Sequence, residues 1–256
     1  MANLEKYKNI PQGDMPGDKI EINEGHVDKA TLIYPTLKEK IEILLVENRK
    51  AVVAVCGGSG VGKSEIASLL AFMLKEDGIA AYVMSGDNYP HRIPKENDAK
   101  RLAVFEEGGR KALEAYLGSE QEIDFDLVGR IVKEFKEGKQ SVSLKRMGRE
   151  KDELWFDEID MSKTQVLIIE WTHSNSDHFE GVDIPILLNS TPQETLEHRR
   201  SRNRDGAVDS PFTTMVLEIE QEILKSQAHK AQIIVSKQGG LLSYDDYCKQ
   251  MGIKEG

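Results

Sequence analysis

The chain has 256 residues, of which 39% are hydrophobic and 30% are charged, and its formal net charge is −10 at pH 7. This composition is typical of a globular enzyme with one α/β domain and embellishments, or one domain and a short extension. The acidic balance argues against bulk binding to nucleic acid or to a membrane surface, because both need a basic patch.

The cysteines and the first residues bear on the compartment. Cys56 and Cys248 are too few and too far apart for a disulfide framework, which favours a reducing compartment. Residues 1–13 lack the apolar core of a signal peptide, and no apolar run reaches the length of a membrane span. We therefore expect a cytoplasmic protein.

Residues 1–50 are expected to form an N-terminal extension that packs on a main domain of residues 51–256. Residues 19–23 alternate in polarity like a short strand. Pro35 suits the first turn of a helix, and Leu37 and Ile41 begin an apolar face at helical spacing. The extension is therefore predicted to contain one short strand and one helix.

Strands and helices alternate along the main domain. Strands are predicted at 51–56, 80–84, 141–145, 166–169, 184–188 and 233–235. Helices are predicted at 63–77, 98–117 with a break at Gly108 and Gly109, 126–137, 215–228, and from Pro192 through an arginine-rich segment. This alternation predicts a three-layer α/β fold with a mostly parallel sheet covered on both faces.

A phosphate-binding loop is the strongest motif. It reads Gly57-Gly58-Ser59-Gly60-Val61-Gly62-Lys63-Ser64, which matches G-x-x-x-x-G-K-[ST] between a buried strand and an amphipathic helix. The glycines allow backbone N–H groups to surround phosphate oxygens, and the helix N-terminus favours an anion. We expect Lys63 to reach the β- and γ-phosphates, Ser64 to bind Mg²⁺, and residues from Gly57 to Glu65 to bind ATP.

Two acids follow buried strands at the edge of the sheet where ligands bind in such folds. Glu170, after residues 166–169, can hold Mg²⁺ through water or orient the attacking group; alternatively it only caps the next loop. Asp87, after residues 80–84, can accept the proton of an acceptor hydroxyl; alternatively it is a turn aspartate.

Residues 199–204 place four arginines in six positions of an acidic chain. On a helix Arg200 and Arg204 share a face, and such a cluster suits a mobile lid that closes over the transferred phosphate. The alternative is a solvated helix face, which is common for charge runs.

Taken in order, these segments resemble the uridine kinase and phosphoribulokinase family of P-loop kinases. The similar segments are GGSGVGKS, SGDNY, DFDLVGRIVKEFKEGKQSVSL, VLIIEW and HRRSRNRD, within residues 51–236. The resemblance implies a P-loop kinase domain over residues 51–256, Asp87 as the catalytic base, Glu170 near Mg²⁺, and a lid around Arg200 and Arg204.

The acceptor side departs from a uridine kinase. Residues 144–150 lack the family's Tyr-Asp-x-x-x-His-x-Arg stretch, and Arg146 and Arg149 there are either surface charges or ligands for an acceptor that carries phosphate or carboxylate. Trp171 replaces the family's glycine, and the polar residues after it, including His173, suit the reading of hydroxyls. The predicted acceptor-binding residues are Asp87, Tyr89, His91, Arg92, Arg146, Arg149 and His173.

The leading hypothesis is a kinase that uses ATP and Mg²⁺ to phosphorylate a hydroxyl of a nucleoside, sugar, sugar phosphate or hydroxy acid. The alternative is a nucleotide-dependent regulatory or switch module without such an acceptor. A polynucleotide kinase is disfavoured by the acidic charge. We expect a small-molecule acceptor as partner, no nucleic acid and no membrane, and a homodimer stays open because such folds commonly dimerise.

Overall fold

The computed structural model describes residues 4–7, 10–150, 152–202 and 210–253. Its strands are β1 (Ala51–Gly57), β2 (Ala81–Ser85), β3 (Ser141–Met147), β4 (Leu154–Asp160), β5 (Val166–Glu170), β6 (Ile184–Leu188), β7 (Ile233–Val235) and β8 (Leu241–Leu242). Its α-helices are α1 (Glu24–Val46), α2 (Lys63–Glu76), α3 (Pro94–Tyr116), α4 (Phe125–Lys136), α5 (Leu196–Arg202), α6 (Pro211–Gln227) and α7 (Tyr244–Met251). Short 3₁₀ helices lie at Leu4–Tyr7, Gly86–Asn88 and Ala228–Lys230.

A six-stranded sheet with the order β2-β5-β1-β6-β7-β8 forms the centre of the molecule. Its strands are parallel except for β8, which pairs antiparallel with β7. Strand β1 is buried along its whole length, as its continuous apolar run predicts. Val53 packs in a core shared with α1 and α2, while Val52 packs in a core shared with α4. The predicted three-layer arrangement with a mostly parallel sheet is thereby confirmed.

The N-terminal helix α1 begins at Glu24, so the prediction of a helix start at Pro35 was wrong. The Asn23 side chain accepts a hydrogen bond from the His26 N–H at 3.0 Å, and the His26 ring accepts one from the Asn23 N–H at 3.4 Å. This reciprocal cap starts the helix earlier, and Pro35 lies inside it. An apolar face from Val27 to Ile41 packs α1 against the main core.

The predicted short strand at 19–23 does not form, since this segment is irregular and ends in the cap of α1. The division of the chain at residue 50 stays a prediction. Within the described residues, no helix has both the length and the apolar character needed to cross a bilayer.

The segment between α4 and β5 differs most from the sequence-based expectation. Strand β3 extends to Met147 and pairs antiparallel with β4, which the sequence analysis did not predict, in a separate two-stranded sheet. Strand β8 and helix α7 were also missed. The predicted break in α3 is confirmed, because Gly109 adopts a left-handed φ of 68° inside the helix.

Candidate active site

The glycine-rich loop connects β1 to α2. Gly60 and Gly62 have φ values of 77° and 94°, in the left-handed region that favours glycine. A Cβ atom on Gly62 would lie 2.9 Å from the His26 ring, so helix α1 packs directly against the loop. The Lys63 ammonium group donates to the Gly58 carbonyl at 3.2 Å, which holds this side chain over its own loop.

Ser64 and Glu170 meet across the carboxyl ends of the central strands. The Ser64 hydroxyl donates a hydrogen bond to Glu170 Oε2 at 3.2 Å. Strand β5 lies between β1 and β2, so that Glu170 is in register with Val55 on one side and Ser85 on the other. The register therefore brings this carboxylate to the start of helix α2.

The Glu170 side chain is buried, with only 4% of the residue exposed. Burial first, and then the nearby charge of Asp87, raise the pKa of this carboxyl to about 8, although Lys63 and hydrogen bonds from Ser85 and Ser64 oppose the shift. A divalent cation would offset both causes, and a hydroxyl with carboxylates is the oxygen donor set that Mg²⁺ prefers. The residues present therefore fit a magnesium ion.

Asp87 lies in the turn Gly86–Asn88, directly after β2, and its side chain is exposed. Gly86 packs on the Trp171 ring so closely that a Cβ atom there would lie 2.0 Å from Trp171 Cγ. The tryptophan that follows Glu170 thus supports the turn that carries Asp87. The two acids lie near each other, as the charge effect of Asp87 on Glu170 shows.

Arg199, which the sequence analysis did not single out, is an arginine of α5 that packs on the phosphate loop. A Cβ atom on Gly60 would lie 2.8 Å from Arg199 Cγ, and the guanidinium donates to the Pro192 carbonyl at 2.8 Å. Arg200 is exposed on another face of the helix, and Arg204 lies outside the described residues. Helical spacing places Arg200 and Arg204 on one face, but it does not predict which face of the helix contacts the loop.

Three residues of the predicted acceptor pocket are held by other groups near the Asp87 turn. Tyr89 is fully buried and its hydroxyl lies 3.4 Å from the Met84 sulfur, so it belongs to the core. The His91 ring contacts the Glu120 carbonyl at 2.9 Å. Arg92 donates to a tyrosine hydroxyl on α3 at 3.1 Å. The last two therefore attach the Asp87 turn to the segment after α3.

Arg146 is buried in an ion-pair cluster, whereas Arg149 is exposed. The Arg146 guanidinium pairs with Asp14 at 2.8 Å and with Asp157 at 3.0 Å. It also donates to the Tyr82 hydroxyl at 3.0 Å. Two carboxylates thus already neutralise the arginine that the sequence suggested for an anionic acceptor. Asp14 escaped the sequence analysis because its neighbours are distant along the chain.

His173 is buried beside Trp171, with 4% of the residue exposed and ring centroids 5.3 Å apart. Burial is the largest cause that lowers the pKa of the imidazole, to about 4, so the ring is neutral at physiological pH. Its Nδ1 atom is buried and has no hydrogen-bond partner among the described residues. A neutral imidazole can either donate to or accept from a hydroxyl.

A buried charge cluster on α3 and α6, also missed from the sequence, adjoins this histidine. Arg101 pairs with Glu122 at 2.5 Å and lies 3.7 Å from Glu220. Glu122 also accepts from the Gly118 N–H at 2.8 Å. Burial is the largest cause that raises the pKa of Glu220, and the charge of Lys63 opposes it. Glu220 also lines a small cavity together with Gly58 and Ser59 of the phosphate loop.

A parallel sheet with a glycine-rich loop, a lysine, a serine and two acids at the ends of its strands defines a P-loop phosphotransferase. The chain belongs to the phosphoribulokinase/uridine kinase family, whose sequence model matches residues 52–206. The family is one of P-loop kinases, a class that generally uses ATP and Mg²⁺.

A bifunctional α-galactosidase/sucrose kinase from Mediterraneibacter gnavus is 47% identical over 195 residues, which are 76% of this chain and 21% of that protein. The chain therefore spans about a fifth of the length of this relative. Phosphoribulokinase from Rhodobacter spheroides superposes with a TM-score of 0.56 and 14% identity, over 73% of this chain and 70% of its own. A possible uridine kinase from Bacillus stearothermophilus superposes with a TM-score of 0.51 and 15% identity, over 78% of this chain and 98% of its own. These low identities show the fold alone.

Proposed function

We propose that the chain transfers the γ-phosphate of ATP to a hydroxyl of a free sugar, with sucrose as the first acceptor to test. The observation that carries the phosphotransfer role is the contact of Ser64 with Glu170 beside Lys63 and Asp87. The sugar acceptor is supported by the identity with the Mediterraneibacter gnavus protein.

On the donor side, the backbone N–H groups of the loop and the Lys63 ammonium group bind the phosphates of ATP. Ser64 and Glu170 supply oxygen ligands for Mg²⁺, which when bound neutralises charge on the phosphate oxygens. Helix α5 packs on the loop through Arg199. Arg200, and Arg204 outside the described residues, are proposed to approach the transferred phosphate when the lid closes.

On the acceptor side, Asp87 accepts the proton of the sugar hydroxyl as its oxygen attacks the γ-phosphorus and the bond to the bridging oxygen of ADP breaks. His173 is proposed to bind an acceptor hydroxyl through its neutral ring, because its buried Nδ1 needs a partner. Tyr89 is not proposed as a ligand, and His91 and Arg92 are proposed to support the Asp87 turn. The role of Arg149 in binding the acceptor stays a prediction.

The test is ADP release with sucrose, other free sugars, nucleosides and hydroxy acids. We expect ADP formation that depends on a sugar. Lys63→Ala should lower turnover by about 10²-fold or more, because one cationic group on the transferred phosphate is lost. Asp87→Asn should lower turnover by about 10²- to 10⁴-fold while ATP binding persists. Lys75→Ala, an exposed lysine of the same helix, is the matched control.

ATP hydrolysis that no acceptor stimulates would instead favour a nucleotide-dependent regulatory module. Near-normal turnover of Asp87→Asn would contradict the proposal that Asp87 is the catalytic base. The two-part division at residue 50, a cytoplasmic location and a homodimer stay predictions. Cys56 and Cys248 are both buried free cysteines.

A further inference from the structure

The N-terminal segment passes beside Glu170 and the turn that carries Asp87. A Cβ atom on Gly13 would lie 4.0 Å from Glu170 Oε1 and 3.7 Å from Val83 Cγ1. The next residue, Asp14, has a buried carboxylate whose side chain is 8% exposed. This segment therefore lies against the carboxyl ends of the strands, next to the groups that the phosphotransfer needs.

One oxygen of Asp14 holds the turn that carries Asp87. Asp14 Oδ1 accepts from the Ser85 N–H at 2.6 Å and from the Asn88 side-chain amide at 3.3 Å. These two residues flank Gly86 and Asp87. Asn88 in turn accepts from the Met147 N–H at 3.0 Å, so that the turn is connected to strand β3.

The other oxygen neutralises Arg146. Asp14 Oδ2 accepts from Arg146 at 2.8 Å and from the Tyr82 hydroxyl at 3.2 Å. Because Asp157 pairs with the same guanidinium, one positive charge lies between two negative ones. An anionic group on the acceptor would meet this excess negative charge instead of a free arginine.

We propose that Asp14 is a positioning and specificity-determining residue, which fixes the Asp87 turn and restricts the acceptor site to uncharged sugars. The inference rests on the proposed function and names its substrate class. Residue 14 lies outside residues 52–206, which match the family. The N-terminal segment therefore adds this selectivity to the kinase.

The test compares wild type, Asp14→Asn and the double variant Asp14→Asn/Arg146→Gln, with Asp28→Asn as an exposed control in α1. Fructose 6-phosphate is the anionic probe, and its binding is measured by calorimetry. Asp14→Asn should bind it about ten-fold more tightly than wild type, because one of the two negative charges beside Arg146 is removed. The double variant should lose this gain, and ATP affinity should stay constant throughout.

Turnover gives a second readout. With sucrose, Asp14→Asn should lower kcat about ten-fold, because the Asp87 turn loses its anchor, while the Kd for ATP is unchanged. Unchanged fructose 6-phosphate binding in a folded Asp14→Asn variant would overturn the specificity role. If neither Asp14→Asn nor Asp14→Ser folds, Asp14 serves the fold rather than specificity, and the proposal is also overturned.

The two proposals fail in different ways. If the wild type phosphorylates no sugar, the proposed function fails, while the calorimetric comparison still decides whether Asp14 masks Arg146. If the wild type phosphorylates sucrose and fructose 6-phosphate equally well, the kinase function stands and the role of Asp14 fails.

Discussion

Glu170 should make the binding of Mg²⁺ depend on pH in a measurable way. The buried carboxyl has a pKa of about 8 in the ligand-free protein, from burial first and from Asp87 second. A metal ion binds the ionised form of a carboxyl group, so on the proposed role of Glu170 as a magnesium ligand, binding below pH 8 must release the proton. We expect the affinity for the magnesium–nucleotide complex to rise with pH up to about pH 8 and then level off.

The magnitude follows from proton linkage. One pH unit corresponds to about 1.4 kcal/mol, so the limiting slope is about ten-fold in affinity per pH unit. Between pH 6 and pH 8 the change is about 50-fold for this one group, because the carboxyl is half ionised at pH 8.

The same proton affects stability. The carboxyl titrates near 4.5 in the unfolded chain and near 8 in the folded one, so the folded state holds the extra proton between these values. This contribution to the free energy of unfolding is complete below pH 4.5 and is lost as the pH rises through about 8. Over the whole window the loss is about 5 kcal/mol at most.

Calorimetry in two buffers with different ionisation enthalpies measures the proton released on binding magnesium–ATP. The wild type should release nearly one more proton at pH 6.5 than Glu170→Gln, which has the same shape and no titrating group. Asp87→Asn should move the midpoint to lower pH, because its charge helps to raise the Glu170 pKa. Equal proton release and equal pH slopes in wild type and Glu170→Gln would refute the reasoning.

Four further variants test the surroundings of the site. Gly86→Ala places a methyl group 2.0 Å from Trp171 Cγ. We expect it to lower the free energy of unfolding in urea by about 1–3 kcal/mol. An unchanged free energy of unfolding would mean that the tryptophan can move. Asn23→Ala removes the cap of α1 and should cost about 1 kcal/mol, again by urea unfolding. Arg199→Ala should weaken ATP binding because α5 loses its contact with the loop, whereas Arg200→Ala should lower turnover more than affinity. Equal changes in turnover and ATP affinity for Arg199→Ala and Arg200→Ala would contradict the different roles proposed for these two arginines.

The parts of the site that local sequence patterns define were predictable. The glycine-rich loop and the acids at the ends of β2 and β5 follow from spacing within a few residues, and parallel pairing then brings the strand ends together. Asp14 was missed because its partner Arg146 is 132 residues away, and such pairs depend on the tertiary fold. Arg199 was missed because helical periodicity groups residues by face without identifying the face that is covered.

Two elements of the fold were mispredicted for local reasons. Pro35 resembled a helix start, but the cap formed by Asn23 and His26 lies three turns earlier and the packing of α1 retains the proline inside the helix. Strand β4 has neither clear alternation nor a buried apolar run, because Leu154, Trp155 and Phe156 are all partly exposed on the hairpin. The hydrophobic periodicity of the sequence therefore did not predict that β4 pairs with β3.

The central position of β5 has a consequence for how such an enzyme can diversify. Strand β5 pairs with both β1 and β2, and its register places Glu170 beside both strands. A slip of one residue in this register would turn the Glu170 side chain to the opposite face of the sheet. The groups on the proposed acceptor side come instead from the N-terminal segment, the β3–β4 pair and the loop after β5. On the proposed function, mutation can therefore change the preference for the acceptor at the periphery while the groups for phosphoryl transfer are preserved at the centre.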